Sequence, residues 1–203
     1  SAMVDSIIGV VEVRNFSEET APSLLSALRS LNEKGMRGLV LDLRNNPGGL
    51  LSSTILAYNA LFSRGEGDTL VTFRKRGFVY ERELSKREGR YRDLPIVVLT
   101  NGFTASAAEI LVGLLQEFNG AQIVGDTTFG KGSVQSLYLR RTSTGVYFSF
   151  KITTDEYILG NHRRVVDGVG IAPNHFVSDS LVRPDQLPAP ITQIRVNLSR
   201  DGQ

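Results

Sequence analysis

Two stretches constrain the fold of this chain more than any other feature. Gly38-Leu39-Val40-Leu41-Asp42-Leu43 is apolar almost throughout and lacks the alternation of a half-exposed strand. Such a run predicts a strand covered on both faces, as in a parallel sheet. It breaks at the sharp turn Asn45-Asn46-Pro47-Gly48-Gly49. Leu50, Leu51, Ile55, Leu56, Asn59, Ala60 and Phe62 then mark a helix that Gly65 is expected to close. Pro95-Ile96-Val97-Val98-Leu99-Thr100 repeats the theme, and a turn at Asn101-Gly102 leads into a helix predicted over residues 105–118. Strand, turn and helix in repeated order argue for an α/β domain.

The remaining segments fit around that frame. Residues 7–13 read as a strand, Leu24, Leu25, Leu28 and Leu31 as the apolar face of a helix, and Gly35 as its stop. Residues 69–73 and 78–84 predict a hairpin around Gly77, and residues 86–93 a polar surface loop. Residues 121–125 read as a short strand and 127–132 as a glycine-containing loop. Residues 134–140 and 146–153 alternate as antiparallel strands joined through Ser143-Thr144-Gly145. After Thr154 the pattern predicts loop, with Gly168-Val169-Gly170-Ile171-Ala172-Pro173 as its most ordered part. The tail beyond Ser178 is polar, proline-bearing and expected to be partly extended. Ser1-Ala2-Met3 reads as a cloning scar, residues 4–178 as one core and residues 179–203 as a C-terminal extension.

Composition narrows the chemistry. A length of 203 residues without an evident linker suits one packed domain. The absence of cysteine excludes disulfides, thiol catalysis and zinc–thiolate centres. A formal charge of +2 with no block of like charges gives no footprint for nucleic acid, and no apolar run approaches a membrane span.

Ser106 stands where a strand–turn–helix junction delivers free backbone N–H groups and the positive end of a helix dipole. Such groups stabilise an oxyanion, so the position suits an acyl-transfer nucleophile, although a helix-capping serine is the commoner occupant of such a position. Thr104 is the better cap candidate, which leaves Ser106 available. A serine hydroxyl needs a base, and Lys131, flanked by Gly130 and Gly132, is the candidate; an apolar setting favours the unprotonated amine such a role requires. Glu109, in the first helical turn, reads as a partner of the helix dipole or as a clamp on a neighbouring loop. His162 and His175 lie in the polar C-terminal third, are not aimed at Ser106 by any motif, and read as surface or loop residues.

Three segments together resemble one family. Thr104-Ala105-Ser106-Ala107-Ala108-Glu109, Phe129-Gly130-Lys131-Gly132-Ser133-Val134-Gln135 and Asp42-Leu43-Arg44-Asn45-Asn46-Pro47-Gly48-Gly49 look like the signature segments of the C-terminal processing peptidases, also called tail-specific proteases. The likeness runs over residues 7–177. It implies a crotonase/ClpP-like ββα spiral core with an additional antiparallel β-hairpin region. It further implies Ser106 as nucleophile, Lys131 as general base and Gln135 as the residue orienting the lysine. The backbone N–H groups of Gly49 (Gly48 as fallback) and Ala107 are the implied oxyanion hole, with Asp42, Arg44 and Asn45 bracing the turn.

By the same resemblance no cofactor or metal is needed, and the substrate is a protein or peptide cut near its C-terminus. The location is the periplasm, the cell envelope or a thylakoid lumen; membrane-associated substrates and a homo-oligomer stay open. Members usually carry a PDZ domain ahead of this core, whose signature loop is not seen here, so the chain reads as a fragment beginning after it. Ala108 stands where many members carry serine. Two rivals share the fold: a non-catalytic binding relative, which has no need of Ser106, Lys131 and Gln135, and a crotonase-like acyl-CoA enzyme, which leaves the Ser/Lys pair unexplained.

Overall fold

A computed structural model describes residues 1–4, 7–162 and 164–178 of the chain. Strands β1 (Ala2–Val4), β2 (Ile8–Glu12) and β3 (Gly38–Asp42), then β6 (Ile96–Thr100), β7 (Gln122–Gly125) and β11 (His175–Phe176), form a six-stranded sheet in the order β1-β2-β3-β6-β7-β11. Every neighbouring pair runs parallel except β1 and β2. Parallel neighbours require crossovers. Helix α1 (Thr20–Glu33) links β2 to β3, and α3 (Ala107–Asn119) links β6 to β7.

The uninterrupted apolar character of β3 and β6 has a direct cause. Leu39, Leu41, Ile96 and Val98 join the main core with the helices, whereas Val40, Val97 and Leu99 join a smaller cluster with Ile8 and Val124. Alternate side chains therefore meet apolar partners on opposite faces.

Helix α2 (Leu51–Leu61) follows β3 and leads into a second, antiparallel sheet of β4 (Arg64–Lys75), β5 (Phe78–Glu88), β9 (Tyr147–Leu159) and β10 (Arg164–Val165), with β8 (Ser133–Arg141) paired to β9. Gly65 does not close α2; Phe62 caps it and Gly65 already lies in β4. The expected loop over residues 86–93 begins as strand, since β5 continues to Glu88, and Tyr91 within it is buried. The chain does not turn to loop directly after Thr154 either; that begins after Leu159. Strand β9 runs on to Leu159 because Val71, Thr72, Phe73 and Arg74 of β4 pair with its last residues. Residues 2–4 pair with β2, and the extension over 179–203 lies outside the described residues.

Candidate active site

The carboxyl end of β6 delivers the nucleophile candidate. Asn101 and Thr104 close a tight turn through Asn101 N–H to Thr104 Oγ1 (3.1 Å) and Thr104 N–H to Asn101 O (2.9 Å). Thr104 does not cap α3: its hydroxyl donates to Leu43 O at 2.9 Å and ties this turn to the end of β3. The N-cap is Ser106 itself, with φ 56° and ψ −121°. A non-glycine residue at positive φ is strained and persists only where its surroundings hold it. Here the Ser106 N–H donates to Glu109 Oε2 at 2.8 Å, and the Ala105 N–H donates to Asn46 O at 2.9 Å.

The turn after β3 is laced to this elbow. Asn101 Oδ1 accepts from the Asn45 N–H at 3.0 Å, and Asn46 Nδ2 donates to Val13 O at 2.7 Å. Arg44 grips Asp42 bidentately, Nε to Oδ1 at 2.9 Å and Nη2 to Oδ2 at 2.7 Å, as expected of residues that brace the turn. A Cβ on Gly48 would lie 2.7 Å from Ala105 O and 2.9 Å from Ala107 N, so only glycine lets the turns approach this closely. The Gly48 N–H is taken by Asn46 Oδ1 at 2.8 Å. Gly49 (φ 143°) makes no N–H hydrogen bond among the described residues, and Ala107 opens α3, where a backbone N–H has no intrahelical acceptor. Gly49 and Ala107 are thus the two unpartnered donors beside Ser106, and the Gly48 fallback is not.

The lysine arrives on the loop between β7 and β8. One carboxylate anchors that loop to the nucleophile elbow. Glu109, with 0% exposure, accepts from Thr128 Oγ1 (2.6 Å) and Gly130 N–H (2.7 Å) on Oε1, and from Ser106 N–H and Lys131 N–H (both 2.8 Å) on Oε2. The loop-clamp reading of Glu109 holds, and it is the more consequential of the two readings. On the loop's other side Gly132 N–H donates to Asp167 Oδ1 (3.0 Å) and Gly168 N–H to Gly130 O (2.9 Å), so the 168–173 motif is a brace.

Tyr157 was not foreseen. Its hydroxyl donates to Lys131 O at 2.8 Å and lies 3.4 Å from Ser106 O. Burial, reinforced by the Glu109 and Asp167 charges, pushes its phenol well above the ordinary value of 10.0, so it stays a proton donor. The only sequence signal was the apolar triplet Tyr157-Ile158-Leu159 behind a polar run.

Ser106, Lys131, Gln135, Gly49 and Ala107 all line one cleft of about 520 Å³. Lys131 Nζ donates to Gln135 Oε1 at 3.4 Å, and among the described residues no hydrogen bond joins it to the Ser106 hydroxyl. The serine and the amine therefore share the cleft without the contact that transfers a proton, as resting active sites often do. Neither His162, whose Nδ1 lies 2.9 Å from Glu117 Oε1, nor His175, on the β11 edge strand, lines it. Among the described residues no group of three or more His, Asp or Glu side chains is placed to hold a metal.

The arrangement matches known proteins. Residues 7–177 fit the model of peptidase family S41. The carboxy-terminal processing protease CtpA of Bacillus subtilis is 42% identical over 137 residues, covering 67% of this chain and 28% of the relative. The carboxyl-terminal-processing protease of Synechocystis sp. is 34% identical over 183 residues, covering 90% of this chain and 41% of the relative. Among solved structures, the photosystem II D1 C-terminal processing protease superposes with a TM-score of 0.74 at 30% identity, covering 88% of this chain and 44% of that one. The chain thus spans less than half the length of these three relatives.

Proposed function

Because this chain belongs to peptidase family S41, we propose that it is the catalytic core of a serine peptidase that cleaves protein substrates near their C-termini. The observation that carries the proposal is the convergence in one cleft of Ser106, Lys131 and the unpartnered N–H groups of Gly49 and Ala107. A substrate carbonyl seated on those two donors presents its carbon to Ser106 Oγ. Unprotonated Lys131 Nζ takes the hydroxyl proton as the Oγ–C bond forms, and the oxyanion rests on Gly49 and Ala107. Collapse breaks the C–N bond, and Lys131 returns the proton to the departing amine. Water, deprotonated by the same lysine, then attacks the acyl carbon, the C–Oγ bond breaks, and Lys131 returns that proton to Ser106 Oγ. Gln135 Oε1 restrains the amine without adding a charge that would favour its protonated form.

The crotonase/ClpP-like spiral belongs to this proposal, supported by the repeated strand–helix units of the parallel sheet. So does a PDZ domain elsewhere in the longer protein, together with a location in the periplasm, cell envelope or thylakoid lumen. No helix among the described residues is long and apolar enough to cross a membrane. Digestion of casein by this chain beside Ser106→Ala and Lys131→Ala tests the reading. Cleavage lost in both variants supports it, and cleavage surviving either variant overturns it.

A further inference from the structure

A second depression adjoins the cleft. It has a volume of about 610 Å³ and lies between α2 and β5, with Leu51, Ile55 and Leu56 on one wall and Glu83, Lys86 and Arg87 on the other. Leu51 lines both the cleft and this groove. The continuity is built into the chain, because α2 starts two residues after Gly49, the oxyanion donor, and its first turns form the groove wall. The groove is apolar at the surface, with Leu56 52% exposed. Its shape is fixed by Asn59, whose Oδ1 accepts the Lys86 N–H at 2.9 Å and pins the end of β5 against α2. The Lys86 ammonium and Arg87 guanidinium have no ion-pair partner among the described residues, and with Glu83 as the one carboxylate in the lining the groove carries a net positive charge.

We propose that this groove is a remote subsite for the same polypeptide substrate, taking an apolar stretch that ends in a carboxylate beside Lys86 and Arg87. The inference rests on the peptidase reading and extends it from the bond cut to the segment recognised. Length follows from geometry. From Leu51 to Asn59 a helix rises about 12 Å at 1.5 Å per residue, and an extended peptide covers that span in about four residues at 3.3 Å each. Leu56 and Ile55 supply the apolar contact, and the cations select the charge at its end. Contacts this far from the reacting bond can align the chain over Ser106, which is how remote binding energy reaches a rate.

Fluorescent peptides that share one short cleavable core, extended by one to six apolar residues at either end, test the inference by anisotropy on the uncleaving Ser106→Ala chain. In one of the two series affinity is expected to rise about tenfold as the extension passes about four residues, the effect of burying one leucine-sized side chain. Leu56→Ser, at an exposed position, flattens that rise. A free-acid peptide and an amidated one ending in Glu are each expected to bind about threefold better than a neutral amide. Lys86→Gln with Arg87→Gln removes the difference. Failure of either carboxylate to improve binding overturns the inference. Affinity that does not depend on length, or a rise untouched by Leu56→Ser, overturns the inference. Cleavage of the shortest peptide by the wild-type chain is a separate readout. Its failure refutes the peptidase reading while the binding series still reports on the groove.

Discussion

Glu109→Gln is the perturbation that probes the site most sharply, because it keeps the shape of the side chain and removes its charge. The carboxylate accepts four hydrogen bonds at 2.6 to 2.8 Å in a position with no solvent exposure. An amide offers one oxygen. If that oxygen takes the place of Oε2, Ser106 and Lys131 keep their acceptor and Thr128 can turn its hydroxyl to accept, but the Gly130 N–H faces an NH₂ group. The opposite orientation strands both Ser106 and Lys131. The first is therefore preferred, and it leaves one buried donor unpaired at about 1–3 kcal/mol, with the surviving bonds weakened by loss of charge. A total of about 3 kcal/mol in a domain of this size lowers Tm by about 6–12 °C.

The catalytic effect is separate. Glu109 Oε2 joins the main chains of Ser106 and Lys131, the proposed nucleophile and base, and a displacement of about 1 Å between reacting groups costs about a hundredfold in rate. Casein or peptide hydrolysis, well below the variant's Tm, should show kcat reduced about a hundredfold with KM little changed. Glu109→Asp, too short to span both loops, should not rescue it. Wild-type kcat in Glu109→Gln, or a Tm within a degree of the parent, would refute the reasoning.

Gly49→Ala drives a Cβ into Phe16 O at φ 143°, so the turn must shift and its N–H leaves the proposed oxyanion position; kcat/KM should fall by about two to three powers of ten, measured on a peptide ester. Tyr157→Phe deletes the hydroxyl that supports Lys131 O, and a drop in kcat of about tenfold without a matching rise in KM is expected in steady-state kinetics. Burial raises the Tyr58 and Tyr157 phenols above their ordinary value of 10.0. Above about pH 10 the unfolded chain therefore holds fewer protons than the native one, so stability is intact below that pH and falls as pH rises. Urea unfolding between pH 8 and 11 should show that loss, and Tyr157→Phe should diminish it.

How much was legible in the sequence depends on whether the cause was local. The buried runs at 38–43 and 95–100 announced parallel strands because both of their faces are apolar in fact. The Gly48-Gly49 turn was readable because its close packing against Ala105 and Phe16 admits no side chain. Strand β9 was cut short at Thr153 because Asp155 and Glu156 are poor strand formers. Its continuation is enforced by β4, some eighty residues earlier in the chain. Tyr157 was lost with it. Thr104 was taken for the α3 cap, a place that Ser106 fills, because the choice between them rests on Leu43 O, an acceptor from another part of the sheet. Glu109 was seen as two readings, and only the arrival of the 128–131 loop decides between them.

The central claim, that Ser106 attacks with Lys131 as its base, is tested most directly by acylation. The chain is mixed with an activated peptidyl ester, quenched in the burst phase and mapped by mass spectrometry. The account predicts one acyl group, on the peptide holding Ser106, absent in Ser106→Ala and strongly slowed in Lys131→Ala. An adduct on another residue, or undiminished acylation of Ser106 without Lys131, would contradict it.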